Sequence, residues 1–163
     1  MDSLIIYGGK YGTTEDCAQK VAAQLDGEVV VSAVKDFSAE DLAAAKRVIV
    51  GTSIYAGSLN KEVADLLLSK RDLLLQKDFA FFVCGMRDYE ESMNFIRESF
   101  DPELLQHAQA YAFLGGQYQF DKMNFFEKQV IKMVTKKEGN PVSGKENVSS
   151  LSEERLAAFI NQL

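Results

Sequence analysis

The feature that most constrains the fold of this chain is a regular alternation of short apolar runs with helical patterns. Five runs of strand length recur along the 163 residues, and several are continuously apolar, as expected of strands that are covered on both faces. These runs are Leu4–Tyr7, Val29–Val31, Val48–Val50, Phe79–Cys84 and Tyr111–Leu114. The alternation predicts an α/β fold with a doubly wound, five-stranded parallel sheet, for which the leading strand order is 2-1-3-4-5.

Apolar residues at helical spacing predict the helices between and after these strands. A short helix is expected after Ser38, and Ser150-x-x-Glu153 is a capping-box pattern that predicts a final amphipathic helix. The other helical patterns are Cys17–Leu25, Val63–Leu67 and Tyr89–Phe100. No internal repeat, low-complexity segment or linker is evident, so we expect a single domain over residues 1–163, with one obvious loop at 139–147.

Composition limits the classes of function that this chain can have. A net charge of -6 and a pI near 4.9 argue against a general nucleic-acid binder, which needs clustered Lys and Arg for phosphate contacts. Cys17 and Cys84 form neither a CxxC pair nor a metal-ligand cluster, which favours two core thiols in a reduced cytosolic setting. The chain shows no apolar stretch near the roughly 20 residues of a membrane span and no signal-peptide pattern at Met1-Asp2-Ser3. We therefore expect a cytoplasmic protein.

A glycine-rich turn follows the first strand, in the stretch LIIYGGKYGTTE at residues 4–15. It is neither a Walker loop nor a G-x-G-x-x-G fingerprint. Glycines let the backbone approach an anion closely, and amides at a helix N-terminus point towards it, so the turn suits a single terminal phosphate. The alternative is a tight turn that Thr13 or Thr14 caps, with nothing bound. In the predicted strand order the crevice lies beside this turn and the loops at 52–60 and 85–90.

Two of these loops resemble the flavin-binding loops of flavodoxins. Residues 7–15 are similar to the phosphate loop T-x-T-G-x-T, with matches at Gly12 and Thr14, and residues 51–57 are similar to the G-x-S-x-W-G segment, with Tyr55 in the aromatic position. The resemblance implies noncovalent FMN binding. It implies phosphate anchoring by Gly9, Lys10, Tyr11, Gly12, Thr13 and Thr14, ring packing by Ser53, Ile54, Tyr55, Ala56 and Gly57, and edge contacts from Gly85, Met86 and Arg87.

The chain departs from the flavodoxin pattern at several positions. Gly9, Lys10 and Tyr11 stand where hydroxyl groups usually meet the phosphate, so backbone amides, Lys10 and the two threonine hydroxyls must serve instead. Ala56 replaces the glycine whose peptide commonly flips beside the flavin, and Tyr89 is either a stacking residue or the start of a helix's apolar face. No catalytic acid or base and no metal ligand stands out, and His107 is given no role.

A closer resemblance is to menaquinone-dependent protoporphyrinogen dehydrogenases. Residues 51–54 are similar to that family's G-A-S-I segment, Lys10 to its basic phosphate-loop residue, and residues 115–139 to its insert before the last helix, which we place at 115–147. This implies a quinone-linked oxidoreductase with a redox partner or a quinone- or porphyrin-like substrate. The alternatives are a plain electron carrier and a flavin-free binding module. A phosphoacceptor receiver is excluded because Gly8, Gly9 and Thr52 stand where acids are needed.

The insert carries a basic segment on an acidic protein. Residues 121–137 hold five lysines and two acids, a local charge of +3, so the remainder of the chain carries -9. On a continuous helix one broad arc, which the core could bury, holds Phe120, Met123, Phe126, Val130, Ile131, Met133 and Val134. Phe125 falls among Lys128, Lys132 and Lys136. This face is interpreted either as a solvated helix surface or, with residues 118–120, as a peripheral contact with an anionic membrane surface at its inner face or with an anionic substrate.

Overall fold

The computed structural model describes residues 1–163 as strands and helices in alternation. The strands are β1 (Ser3–Gly8), β2 (Val29–Ala33), β3 (Arg47–Tyr55), β4 (Ser58–Leu59), β5 (Asp78–Cys84), β6 (Ala110–Gly115), β7 (Gln117–Tyr118) and β8 (Val148–Ser149). The helices are α1 (Thr13–Ala22), α2 (Ala39–Ala44), α3 (Lys61–Ser69), α4 (Arg71–Leu74), α5 (Tyr89–Ser99), α6 (Pro102–His107), α7 (Phe125–Lys137) and α8 (Glu153–Ile160), with a 3-10 turn at Phe120–Lys122.

The five long strands form one parallel sheet in the order β2-β1-β3-β5-β6, and the short β4 pairs antiparallel with β3. Because β4 was not anticipated, this is the predicted order 2-1-3-4-5 with one additional strand in the count, and the predicted fold is confirmed. In the registers of the sheet, Gly8 pairs with Thr52 and Ser53 pairs with Cys84. The loops after β1, β3 and β5 therefore leave the sheet at one edge.

Both faces of the sheet are covered, which explains the continuous apolar runs. Leu4 and Ile6 of β1 belong to the larger hydrophobic cluster, whereas Ile5 between them belongs to the cluster on the opposite face. All three side chains are fully buried. A strand buried on both sides cannot alternate apolar with polar residues, so its sequence becomes a solid hydrophobic block.

One of the two predicted helix caps is confirmed, and the other lies two residues further along the chain. Ser38 caps α2 as predicted, since its hydroxyl accepts a hydrogen bond from the Asp41 amide at 2.9 Å. The capping box at Ser150 is wrong: α8 begins two residues later, and Ser152 is its cap, accepting from the Arg155 amide at 3.1 Å. The Ser150 hydroxyl instead accepts from the Gly116 amide at 3.1 Å. That long-range bond holds Ser150 beside the end of β6.

The segment between β6 and α8 forms a small layer of its own. The strands β7 and β8 pair antiparallel, with Tyr118 opposite Val148. Phe120, Met123 and Ile131 are buried with Tyr118 in a third hydrophobic cluster. None of the helices combines the length with the hydrophobicity that a membrane span requires.

The expected apolar arc of this segment is only partly buried. Asn124 caps α7 by accepting from the Glu127 amide at 2.8 Å, so Phe120 and Met123 lie outside the helix and share no face with it. The helix then turns Ile131 and Thr135 inwards, while Phe126 and Met133 are 74% and 65% exposed. The prediction of one continuous buried arc is therefore wrong, because a new helix begins after Asn124. The directions of its side chains no longer follow from those of Phe120 and Met123.

Candidate functional site

The glycine turn between β1 and α1 ends in a left-handed residue. Gly12 has φ 86° and ψ -11° and occupies the N-cap position of α1, without a side-chain cap hydrogen bond. The alternative in which Thr13 or Thr14 caps the helix does not hold, since both lie inside its first turn. The first amides of α1 have no side-chain acceptor, and the positive end of the helix dipole adds to their attraction for an anion.

Gly9 is required by a close approach within the same turn. A Cβ atom at position 9 would lie 2.6 Å from the Thr14 hydroxyl oxygen and 3.8 Å from the Ser53 Cβ. Thr14 is buried at this contact. The absence of a side chain at Gly9 therefore lets the first loop close onto both its own helix and the second loop.

The loops at this edge of the sheet enclose one cavity together with the segment after β6. Its lining includes nine of the predicted site residues: Lys10, Tyr11, Thr13, Thr14, Ser53, Ile54, Tyr55, Gly85 and Met86. Gly9 and Gly12 belong to the same turn. Ala56 and Arg87 line a smaller adjoining space with Val134 and Glu138, and Gly57 lies beside Arg87.

Four lining residues were not among the predicted site residues: Cys84, Gly116, Gln117 and Tyr118. Cys84 is the last residue of β5, and residues 116–118 directly follow β6. The signal that could have identified Cys84 is its position, because ligand sites in such sheets form beyond the carboxyl ends of the strands. Residues 116–118 reach the cavity through the pairing of β7 with β8, which no local pattern predicts.

Two tyrosines and a lysine form the polar part of the cavity. The rings of Tyr11 and Tyr55 lie edge to face with centroids 6.0 Å apart, and Lys10 Nζ lies 5.4 Å and 5.1 Å from these centroids. Both hydroxyl groups are buried without a hydrogen-bond partner. Burial raises the pKa of both phenols above the ordinary value of tyrosine. Unpaired buried donors are rare in folded proteins and mark a place where an acceptor fits.

Tyr118 forms the wall that the insert contributes. Its ring is buried with Phe120, Met123 and Ile131, and Tyr11, Tyr55 and Met86 pack against this cluster. Burial, followed by the negative charge of Glu138, raises the pKa of Tyr118 to about 12. The insert is thus an integral wall of the cavity.

The two thiols meet beneath this cavity. The Sγ atoms of Cys17 and Cys84 are 3.8 Å apart, and both side chains are buried. The hydrogen bond between them lowers the pKa of Cys17, and the same bond together with burial raises the pKa of Cys84. Both are core thiols, as predicted, and Cys84 also reaches the lining of the site.

Three other residues considered for a role lie away from the cavity or are engaged elsewhere. Tyr89 is absent from the cavity lining, since its ring packs 4.1 Å from the Arg155 guanidinium carbon and beside Phe113. Arg87 Nε lies 3.7 Å from a carboxylate oxygen of Glu138, which ties the third loop to the end of α7. His107 Nε2 lies 2.7 Å from the Lys77 carbonyl oxygen.

The cavity is narrow in this structure. It holds about 60 Å³, well below the roughly 300–1,000 Å³ of typical small-molecule sites. In the turn, no side chain caps the first amides of α1. A larger planar group could enter only if the side chains of Lys10, Tyr11 and Tyr55 moved apart.

Comparisons with known proteins agree with this architecture. A family model described as a flavodoxin domain matches residues 4–143. No curated protein sequence matches the chain.

Solved structures share the fold at low sequence identity. A short-chain flavodoxin associated with a non-canonical PDU bacterial microcompartment is 18% identical, with a TM-score of 0.62 over 100% of this chain and 97% of that one. Oxidised flavodoxin 2 from Bacillus cereus is 24% identical, with a TM-score of 0.54 over 71% and 84% of the two chains. A mutant flavodoxin from Fusobacterium nucleatum, solved with flavin mononucleotide, is 13% identical, with a TM-score of 0.50 over 68% and 66%. With its family model matched over most of its length, the chain belongs to the flavodoxin domain family.

Proposed function

We propose that this chain binds FMN noncovalently at the glycine turn and acts as an electron-transferring oxidoreductase. The observation that carries the proposal is the turn itself, in which the left-handed Gly12 leaves the first amides of α1 without a capping side chain. Membership of the flavodoxin domain family and the FMN bound to the Fusobacterium nucleatum flavodoxin support the choice of ligand. When bound, the flavin would supply the redox chemistry.

The phosphate end of the ligand would be held by the turn at residues 9–14. Backbone amides at the start of α1 would donate to the phosphate oxygens, with the hydroxyls of Thr13 and Thr14 at hand in the same turn. Lys10 would add a positive charge, which strengthens such hydrogen bonds. These groups replace the hydroxyl side chains that flavodoxins usually place at positions 9–11.

The ring end would be held between the second and third loops and the insert. Ser53, Ile54 and Tyr55 would pack along the ring from one loop, and Gly85 and Met86 from the other. Entry requires Tyr11 and Tyr55 to separate, and their unpaired hydroxyls would then find acceptors on the ligand. Arg87 would reach the ring edge only after leaving Glu138.

The finer proposal is a quinone-linked enzyme of the protoporphyrinogen dehydrogenase type. It is supported by the resemblance at residues 51–54, by Lys10, and by the insert whose Tyr118 lines the site. A wall built from an aromatic cluster suits the planar apolar ring of a quinone, whereas a simple electron carrier needs only an exposed edge of the flavin ring. The competing functions are a plain flavodoxin-type carrier and a flavin-free binding module.

The proposed function is tested by purifying the protein, recording its flavin spectrum and assaying electron transfer to menaquinone. Bound FMN with menaquinone reduction driven by protoporphyrinogen would support the enzyme. Bound FMN that exchanges electrons with protein partners but not with quinone or porphyrin would favour the carrier. A colourless protein that cannot be reconstituted with FMN would leave only the binding module.

A further inference from the structure

Of the four large apolar side chains that are most exposed to solvent, three lie on one helix. Phe125, Phe126 and Met133 of α7 are 78%, 74% and 65% exposed, and the only comparably exposed side chain elsewhere is Leu68 of α3. Clustered exposed apolar groups of this size mark interaction surfaces, whereas single ones need no explanation.

The three side chains share the outward face of α7. At 100° per residue they fall within an arc of about 100°, opposite the inward-facing Ile131 and Thr135. Lys136 and Lys137 project from the same side at the C-terminal end, and Lys122 lies just before the helix. We call this surface, formed by Phe125, Phe126, Met133, Lys136 and Lys137, the outer face of α7.

The positive charge on this segment is uncompensated. None of the five lysines in residues 121–137 forms an ion pair. The sequence predicts a helix face with Lys128, Lys132 and Lys136. In the structure this face is turned partly inwards, since Lys128 and Lys132 are half-buried and Lys132 packs against Gly144. The exposed apolar groups and the exposed Lys136 and Lys137 therefore coincide on the outer face.

We propose that the outer face of α7 binds the protein to an anionic phospholipid bilayer. Reversible attachment needs two contributions, an apolar anchor and a basic patch, and this face supplies both. The remainder of the chain carries -9 and would be repelled by the same surface, so only an orientation with α7 towards the lipid is attractive. With 13 residues, α7 would lie in the interface with its axis along the membrane plane.

Attachment by this face would bring the cavity close to the bilayer. Ile131, on the inner side of the same helix, packs in the cluster with Tyr118, and Tyr118 lines the cavity. The distance from lipid to site is thus about one helix diameter plus one side-chain layer.

Vesicle co-sedimentation tests the proposal with the full chain. Vesicles of phosphatidylcholine alone are compared with vesicles of phosphatidylcholine and phosphatidylglycerol, at low and high salt. Wild-type protein should bind only the anionic vesicles and should be released by salt. Phe125→Ser/Phe126→Ser and Lys136→Glu/Lys137→Glu should each lower the partition coefficient about tenfold or more.

Matched controls separate this face from general surface effects. Leu68→Ser removes an equally exposed apolar side chain, and Lys46→Glu/Lys61→Glu makes the same charge change at lysines that are 77% and 89% exposed. Both controls should bind anionic vesicles nearly as well as wild type, and circular dichroism should show all variants folded.

Equal binding to neutral and anionic vesicles, or unchanged binding by both α7 variants, would overturn the proposal. Self-association that requires α7, seen by size-exclusion chromatography without vesicle binding, would also overturn it and would assign the face to a second copy. Vesicle binding is measured without reference to flavin. The result therefore stands or falls separately from the proposed function.

Discussion

Gly12 is the residue on which the geometry of the proposed phosphate site depends. Its φ of 86° lies in the left-handed region, which glycine enters at no steric cost, and this conformation turns the chain from β1 into α1. Apart from its own neighbours in the chain, no heavy atom lies within 4 Å of the position that a Cβ atom would take. A side chain here would therefore act through backbone strain and by standing in front of the amides.

Replacing Gly12 with Val should abolish or strongly weaken FMN binding. A β-branched residue in the left-handed region costs at least about 1–2 kcal/mol, and the turn would relax away from the geometry that presents its amides. Isothermal titration with FMN measures the loss.

Gly139→Val is the matched control for this change. Gly139 has φ 84° and equally open surroundings, but it follows α7. It should lose similar stability and keep its FMN affinity. If Gly12→Val binds FMN as tightly as wild type does, the phosphate does not sit in this turn.

At the scale of single elements, caps determine where helices begin and how they are anchored. Asp101 caps α6 by accepting from the amides of Glu103 and Leu104 at 2.9 Å and 3.1 Å. Its other oxygen accepts from Arg71 Nε at 2.7 Å, which ties α4 to α6. The bond from Arg71, reinforced by the two backbone amides, lowers the pKa of Asp101.

Asp101→Ala should destabilise the fold by about 1 kcal/mol, because it removes the cap. Asp101→Asn should cost less, since an amide oxygen can still cap the helix although the charge is lost. Denaturant unfolding at neutral pH gives both values.

The same pair of variants isolates a pH-dependent contribution. The pKa of Asp101 is lower in the folded state than in the unfolded state, where it is about 3.9. The contribution of this carboxylate to stability is therefore complete above the unfolded-state pKa and is lost as the pH falls through the folded-state pKa. Stability should therefore fall less steeply with acidification in Asp101→Asn than in wild type. Parallel curves for the two proteins below pH 4 would show that Arg71 contributes nothing through this carboxylate.

The inner and outer sides of α7 should respond oppositely to truncation. Ile131 is fully buried in the third cluster, so Ile131→Ala should cost about 2–5 kcal/mol if unfolding is cooperative. Met133, two residues away and largely exposed, should tolerate alanine within about 0.5 kcal/mol. Thermal or denaturant unfolding compares the two. Similar losses at both positions would mean that α7 packs in a different rotational setting.

Local sequence pattern predicts an element correctly when one physical requirement, such as burial on both faces, determines all of its residues. Leu4, Ile5 and Ile6 of β1 are all apolar because both faces of the sheet are buried. The sequence therefore predicts β1 without knowledge of the strands beside it. The sequence pattern predicts the cap of α8 two residues too early, because Ser150 and Ser152 are both suitable caps. Ser150 is engaged instead by long-range bonds to Gly116, which the pattern does not reveal. The apolar arc around α7 failed because Asn124 starts a new helix within it.

At the scale of the whole molecule, strand register assembles the site. Pairing of Gly8 with Thr52 and of Ser53 with Cys84 brings three loops from distant parts of the chain to one edge. Strand order alone predicts this meeting, and so the three loops could be identified from sequence. The part of the cavity wall formed by residues 116–118 could not be identified in this way. These residues reach the cavity through the pairing of β7 with β8, some 30 residues apart.

Charge is also distributed at the scale of the whole molecule. The acidic body and the basic segment at 121–137 give the protein a strong asymmetry, although its net charge is only -6. Such asymmetry orients a protein at a charged surface even where net charge would oppose approach. The proposed site lies against the basic side, through Tyr118 and the third cluster.

The most direct test of the central claim compares the binding of FMN with that of riboflavin, which lacks only the phosphate, by isothermal titration. If the turn at Gly9–Thr14 holds the phosphate, wild-type protein should bind one FMN per chain with a Kd at least about tenfold below that for riboflavin, as expected of charge-assisted hydrogen bonds. Lys10→Ala should narrow that difference by weakening FMN more than riboflavin. Equal Kd values for the two ligands, or no binding of either, would contradict the assignment of this turn as a phosphate site.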